Sequence, residues 1–124
     1  MNHYPNTGAT LESTVADYQS LNDKVNTKRK VGSTFIGATV TPAGSSAAWT
    51  GQVARWLEIN EAVKGLGATP ITGFDSVITS HTADINDGSN NLAASYDSGD
   101  HIHPNIAGLM KIATRYAALL PTTK

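Results

Sequence analysis

The chain has 124 residues, with 9 Lys and Arg against 10 Asp and Glu, a formal net charge of −1 and no cysteine. This length suits one domain with a single hydrophobic core. The balanced charge argues against a nucleic-acid-binding protein, and the lack of cysteine excludes disulfides, a thiolate zinc site and a cysteine nucleophile. No apolar run approaches the roughly 18 residues of a membrane span. The first residues do not resemble a signal peptide, and the localisation stays open.

The first predicted element is an amphipathic helix over residues 10–28, with Thr10 suited to the N-cap position. Its apolar residues recur at spacings of three and four: Leu11, Val15, Tyr18, Leu21 and Val25. The basic cluster 28–30 follows. Because cations complement the C-terminal end of a helix dipole, we interpret this cluster as a solvated helix end.

Residues 31–41 are the best candidate for a strand. Their apolar residues are nearly continuous, which is typical of a parallel strand covered on both faces. Pro42 ends this strand, and Thr50 is suited to cap a second helix over about 51–65. A shorter strand is predicted over about 70–78. The inner face of the second helix is predicted to hold Val53, Trp56, Leu57 and either Ala62 or Val63.

A long polar loop over 79–99 precedes the last predicted helix, 104–120, in which Pro104 occupies the first helical position. The order helix, strand, helix, strand, loop, helix predicts an α/β fold with parallel strands joined by right-handed crossovers. A two-stranded parallel sheet leaves open edges and a face to cover. We therefore expect this chain to need further cover for its sheet.

The segment entering the last helix carries the residues best suited to chemistry. Asp100 and His103 are three apart on a turn, close enough for the carboxylate to accept the imidazole Nδ1–H. That bond fixes the tautomer and leaves Nε2 as a general base, able to activate a serine hydroxyl. As an alternative, Asp100 is a carboxylate near the N-terminus of the helix with no catalytic role.

His101 has two interpretations. The first places it on the surface of an extended segment, where it points away from His103. The second makes the two histidines a metal-binding pair together with Asp97 or Asp100. Zinc requires at least three well-placed protein ligands, and the spacing alone argues only for proximity.

Residues 98–108, SGDHIHPNIAG, resemble the last conserved block of the SGNH (GDSL-type) hydrolases, in which D-x-x-H-P precedes the C-terminal helix. The run YDSGDHIHPN is similar to the bacterial secreted branch of that family. Residues 36–42, 49–50 and 73–77 are similar to segments that lie upstream of this block. The resemblance covers nearly the whole chain, but only the back half of the family's domain.

This resemblance implies a partial flavodoxin-like, three-layer α/β fold over residues 1–124, with a short parallel sheet flanked by helices and the N-terminal strands missing. It implies a serine-dependent hydrolase of carboxylic esters, such as acyl lipids or acetylated glycans, with no metal or organic cofactor. His103 would then be the general base and Asp100 the residue that orients it. By position, Asn2 would be the remnant of the oxyanion-hole Asn of the family's G-x-N-D block.

The 124 residues contain no G-D-S block, which carries the nucleophilic serine in that family. We therefore expect the chain alone to be nearly inactive on simple esters. The alternative function is a non-catalytic module that keeps the half-fold, with its open edge and apolar face closed by self-association or by a partner. The expected partners are thus an ester substrate and either a second copy or a complementing chain, with neither nucleic acid nor a membrane span.

The sequence holds four further groups of candidate residues. The run 84–88 has the residue types of a calcium loop but fails the EF-hand register, so we interpret it as a solvated loop. Asp75, at a strand end, is either structural or close to the site. The resemblance implies that Ser45, Ser46 and Trp49 line a substrate cleft, whereas Tyr18 and Trp56 are predicted to be core residues.

Overall fold

The computed structural model describes residues 9–46, 51–79 and 83–120. In these ranges the chain forms three helices and a two-stranded parallel sheet, which confirms the predicted α/β class. The elements in chain order are α1 (Leu11–Lys28), β1 (Ile36–Ala38), α2 (Val53–Val63), β2 (Ser76–Ile78) and α3 (Ile106–Leu119). No helix in the described ranges is both long and apolar enough to cross a bilayer.

Helix α1 begins at the predicted N-cap. Thr10 and Ser13 form a reciprocal capping box, in which each hydroxyl accepts the other's backbone N–H at 3.1 Å. The buried face differs in one respect from the prediction, because Leu21 is exposed and Asn22 is buried. The Asn22 amide donates to the Thr72 carbonyl at 3.1 Å, so a polar contact with the chain before β2 sets the orientation of the helix.

The sheet is shorter than predicted. Strands β1 and β2 pair in parallel over three residues each, with Gly37 opposite Val77. Asn60 limits β1 at its C-terminal end, because its buried side chain accepts the Val40 N–H at 2.7 Å and donates to the Val40 carbonyl. At the other end, the Asp75 carboxylate accepts the Phe35 N–H at 2.7 Å. Side chains thus form hydrogen bonds with backbone groups that would otherwise pair with another strand in a longer sheet.

Helices α1 and α2 cover one side of the sheet through an apolar cluster of Val15, Ile59, Ala62, Val63 and Ile71, with Tyr18 packed against it. Trp56 is buried, and its Nε1–H donates to the Thr41 carbonyl at 2.9 Å. Both aromatic residues therefore belong to the core, as predicted. Leu57, predicted to face inward, is exposed. The predicted cap Thr50 lies outside the described residues, and Gln52 is the N-cap of α2.

Helix α3 packs on the long loop through a second cluster of Ile85, Leu92 and Ile112, with Tyr96 and Tyr116 against it. The helix begins after Asn105, whose Oδ1 accepts the Gly108 N–H at 3.1 Å. The prediction that Pro104 is the first helical residue is therefore wrong. The Asn105 side chain accepts a backbone amide of the first helical turn, which a proline side chain cannot do. Pro104 lies one residue before this cap.

Candidate acid–base site

The loop that carries Asp100 and His103 is closed at its base. Asp97 and Pro104 form an antiparallel bridge, and the Ser98 N–H donates to the His103 carbonyl at 3.0 Å. The Asn105 side-chain amide donates to the carbonyls of Ser95 and Asp97 at 3.0 and 3.1 Å. Since the same side chain caps α3, the loop is joined directly to the first turn of that helix. We refer to residues 97–104 as the acid–base loop.

Asp100 and His103 are in contact, as the spacing predicted. Asp100 Oδ2 lies 2.5 Å from His103 Nδ1. Asp100 Oδ1 accepts the N–H groups of Ile102 and His103 at 2.9 and 2.8 Å, and the Ser98 hydroxyl donates to it at 3.0 Å. The hydrogen bond from the His103 ring, followed by those from the two backbone amides, holds the pKa of the Asp100 carboxyl well below its usual range. The carboxylate is therefore ionised at neutral pH.

This arrangement determines the tautomer of His103. An ionised carboxylate only accepts hydrogen bonds, so Nδ1 carries the proton and Nε2 of the neutral ring has a lone pair. The His103 side chain is 73% exposed and that of Asp100 is 47% exposed. Within the described ranges, nothing is hydrogen-bonded to Nε2. The geometry thus provides an oriented imidazole ring that is accessible to solvent. Asp100 does not cap α3, because Asn105 occupies that position.

A second carboxylate–imidazole pair lies in the same loop, which the sequence analysis missed. Asp97 Oδ2 is 2.6 Å from His101 Nδ1, and Asp97 Oδ1 accepts the N–H groups of Gly99 and His101 at 2.8 and 3.0 Å. The Gly99 amide makes the largest contribution to lowering the pKa of the Asp97 carboxyl. The spacing of four between Asp97 and His101 was the available signal, comparable with the spacing of three that indicated the first pair.

His101 is exposed, as predicted, but its segment is not extended. Its φ of 63° lies in the left-handed region, which L residues other than Asn, Asp and His seldom adopt. The two imidazoles turn their Nδ1 atoms to separate carboxylates. Among the residues that the structure describes, no three His, Cys, Asp or Glu side chains form a metal-ligand group. The alternative of a metal-binding pair therefore has no ligand set here.

Asp75 has a structural role. Its carboxylate is paired with the Arg29 guanidinium, which lowers the pKa of the carboxyl, and it also accepts the Phe35 N–H. This ion pair corrects the interpretation of the basic cluster 28–30 as merely solvated, since one of its three cations is bound to the chain. Asp84 is likewise paired with Arg115, at 2.8 and 3.0 Å.

The remaining candidates divide into two groups. Asn2 and Trp49 lie outside the described residues. Ser46 is buried in a turn, where its N–H donates to the Ala43 carbonyl at 3.0 Å, while Ser45 is exposed. In the 84–88 run, side-chain oxygens accept nearby amides, such as Gly88 N–H on Asn86 at 2.7 Å. That bonding agrees with the interpretation of the run as a loop.

No protein-family model matches the chain, and a search of the curated proteins gives no match. The resemblance to the SGNH hydrolases therefore depends on the sequence segments 36–42, 49–50, 73–77 and 98–108. The structural basis for a functional proposal is the Asp100–His103 pair with its accessible Nε2.

Proposed function

We propose that this chain supplies the general base and its orienting carboxylate to a serine ester hydrolase of the SGNH type. The supporting observation is the contact between Asp100 Oδ2 and His103 Nδ1, which turns the Nδ1 edge of the ring to the carboxylate while the side chain stays largely exposed to solvent. The proposed substrates are carboxylic esters, either of acyl lipids or of acetylated glycans.

In the proposed reaction, His103 Nε2 takes the proton of a serine hydroxyl as that oxygen attacks the acyl carbon. The imidazolium then gives the proton to the departing alkoxide, and an acyl-enzyme remains. Water, deprotonated by the same nitrogen, attacks the acyl carbon of this ester; the imidazolium returns the proton to the departing serine oxygen, and the carboxylic acid is released. Asp100 stabilises the imidazolium in both halves of the reaction, and its amide contacts keep it ionised.

The nucleophile in this proposal comes from a polypeptide segment with a G-D-S block, which the 124 residues do not contain. Ser98, the serine adjacent to the pair, donates its hydroxyl to Asp100 and not to the imidazole. It therefore helps to hold the carboxylate and is badly placed for deprotonation by His103. The proposal requires a second segment, on the same polypeptide or on another, to bring a serine to Nε2.

The test begins with the gene upstream of Met1, where the proposal expects an in-frame segment encoding G-D-S or an adjacent gene that encodes it. The chain is produced with that segment and assayed with a chromogenic acetate ester. We expect His103→Ala to reduce kcat/KM by about a thousandfold or more. Asp87→Asn is the control, because Asp87 is also an exposed carboxylate that accepts nearby amides, but in a different loop.

Two results would overturn this proposal. One is the absence of any G-D-S segment that restores hydrolysis. The other is an ester hydrolysis that proceeds at the same rate after His103→Ala.

A second candidate function, a self-associating module, is favoured by the outer face of α3. Ile106 is 81% and Met110 63% exposed, and Leu109 and Leu120 are also exposed. The charged residues of this helix are Lys111 and Arg115. Arg115 is bonded to Asp84, and the Lys111 ammonium lies 5.8 Å from the centre of the Tyr96 ring. The outer face is therefore apolar and carries no charge, which is unusual for an exposed helix.

The spacing of this face fits a second copy of the same helix. Its apolar residues follow one another at steps of four, three, four and three: Ile106, Met110, Ala113, Ala117 and Leu120. Such steps are typical of helices that pair along a seam. Two identical faces without charge meet with no like-charge repulsion, and an isologous dimer satisfies both at once.

Light scattering during size-exclusion chromatography, at several protein concentrations, tests this candidate. We expect a dimer that Met110→Glu converts to a monomer, because a buried carboxylate at the seam is costly. Val31→Glu is the control, since Val31 is almost fully exposed and lies far from α3 in the sequence. A wild-type chain that remains monomeric at high concentration would exclude the module.

A further inference from the structure

Between Asp100 and His103 lies the one residue other than glycine in the acid–base loop with a left-handed backbone. His101 has a φ of 63°, and the neighbouring Gly99 has a φ of 105°. Glycine adopts such angles readily, whereas a side chain at the Cβ position makes them unfavourable. A conformation of this kind persists only where surrounding contacts hold it.

Asp97 provides these contacts. Its Oδ1 accepts the His101 N–H at 3.0 Å and the Gly99 N–H at 2.8 Å, and its Oδ2 lies 2.6 Å from His101 Nδ1. The Asp97 side chain is only 9% exposed, although the imidazole it holds faces solvent. The Asp97 backbone is fixed as well, by the bridge to Pro104 and by the Asn105 amide. A largely covered carboxylate thus holds His101 by both backbone and ring.

The direction of the chain at His101 determines where the next two amides point. The N–H groups of Ile102 and His103 both donate to Asp100 Oδ1, at 2.9 and 2.8 Å. The same turn brings His103 Nδ1 to Asp100 Oδ2. If residue 101 returned to an ordinary backbone angle, the chain would leave Asp100 in another direction, and these three bonds could not form together.

We propose that Asp97 and His101 form a positioning pair, which holds the acid–base loop in the one conformation that joins Asp100 to His103 before any substrate binds. The use of this arrangement in ester hydrolysis rests on the function proposed above, but the positioning itself does not. The pair acts through the backbone of residue 101, and neither member is a catalytic residue.

The experiment measures the tautomer of His103 by long-range proton–nitrogen NMR correlations of the neutral imidazole, on the full 124-residue chain. In the wild type we expect the proton on Nδ1. His101→Gly should keep that tautomer, because glycine adopts the left-handed angle without help from Asp97. His101→Ala should lose it, because alanine has neither the ring that bonds to Asp97 nor freedom at this angle.

Substitutions of Asp97 test the other half of the pair. Asp97→Ala should lose the Nδ1–H tautomer of His103, and Asp97→Asn should restore it, because the amide oxygen still accepts the N–H groups of Gly99 and His101. Asp87→Ala is the matched control, since Asp87 caps a separate turn by the same kind of bonds. Its His103 tautomer should equal that of the wild type.

The proposal is overturned if folded His101→Ala keeps the wild-type tautomer, or if His101→Gly loses it as alanine does. Should His101→Ala fail to fold, the comparison of Asp97→Ala with Asp97→Asn decides by the same criterion. If neither alanine variant folds, the pair is a folding determinant, and the positioning proposal falls. If the chain produced with the G-D-S segment is inactive but the tautomers are as expected, the esterase proposal is refuted and the positioning proposal stands.

Discussion

Asp75 joins the end of α1 to the start of the sheet through its ion pair with Arg29. The same carboxylate accepts the Phe35 N–H, and the Asp75 N–H donates to the Phe35 carbonyl at 2.8 Å. One residue, directly before β2, thus ties the end of α1 and the residue before β1 through its side chain and its backbone N–H. Strand register is weakly specified in a sheet of two short strands, so a contact of this kind has more influence here than in a larger sheet.

Arg29→Ala should therefore lower the melting temperature more than Lys30→Ala, its neighbour in the basic cluster. The Asp75→Ala variant should lower it further, because the Phe35 amide loses its partner as well. Thermal unfolding followed by circular dichroism measures all three. Equal melting temperatures for Arg29→Ala and Lys30→Ala would show that the ion pair does not hold the sheet.

Acid should weaken the fold through its bound carboxylates. The cation or ring beside each lowers the pKa of Asp75, Asp84 and Asp100 in the folded chain. A lowered pKa contributes stability that is complete above the unfolded value of about 4 and is lost as the pH falls toward the folded value. We expect urea midpoints that do not change with pH near pH 6 on account of these groups, and that fall below about pH 4. Asp84→Asn should make that fall shallower, and an unchanged slope would contradict the assignment.

Asn60 should be costly to replace. Its buried side chain satisfies both backbone groups of Val40 at the end of β1. Asn60→Ala leaves the partly buried Val40 amide without this partner, at a cost of about 1–3 kcal/mol in the free energy of unfolding. Glu58→Ala, on the exposed side of the same helix, should change it by less than about 0.5 kcal/mol. Chemical denaturation of both variants measures the difference, and similar values would contradict this role of Asn60.

Gly37 should not tolerate a side chain. A Cβ at this position would lie 2.8 Å from carbon atoms of the Phe74 ring, well inside contact distance. We expect Gly37→Ala to cost about 1–3 kcal/mol, because the ring must shift within a packed region. Adding Phe74→Leu should recover part of that loss relative to Phe74→Leu alone. A purely additive double variant would show that the two positions are not in contact.

The isolated chain should be a poor esterase. The His103 ring is oriented, but the adjacent Ser98 hydroxyl is bonded to Asp100. We expect hydrolysis of a chromogenic acetate ester at a rate indistinguishable from that of His103→Ala. A burst of product that His103→Ala abolishes would reveal a nucleophile within the chain itself.

The sequence allowed the helices to be predicted better than the strands. Local patterns mark α1, because the Thr10–Ser13 capping box and the apolar spacing lie within the helix itself. The ends of β1 are set by Asn60 and Asp75, residues 20 and 40 positions from their backbone partners. No local pattern contains such contacts, and the predicted strand was accordingly too long.

In the acid–base loop, too, the contacts that follow from local spacing were predicted and the others were missed. Asp100 and His103 were predicted together because a turn is enough to join them. The pairing of Asp97 with His101 was missed because it depends on a left-handed backbone at a residue other than glycine. Likewise, the helix was predicted to start at Pro104, whereas Asn105 is the N-cap. Its side chain contacts both the loop before the helix and the first helical turn.

Asn105 joins the acid–base loop rigidly to α3. Its side-chain oxygen accepts an N–H of the first turn of α3, and its side-chain nitrogen donates to two carbonyls at the base of the loop. The His103 imidazole therefore has a fixed position relative to the apolar outer face that begins at Ile106. A protein surface that binds the outer face of α3 would therefore also be held at a fixed distance and angle from the His103 ring.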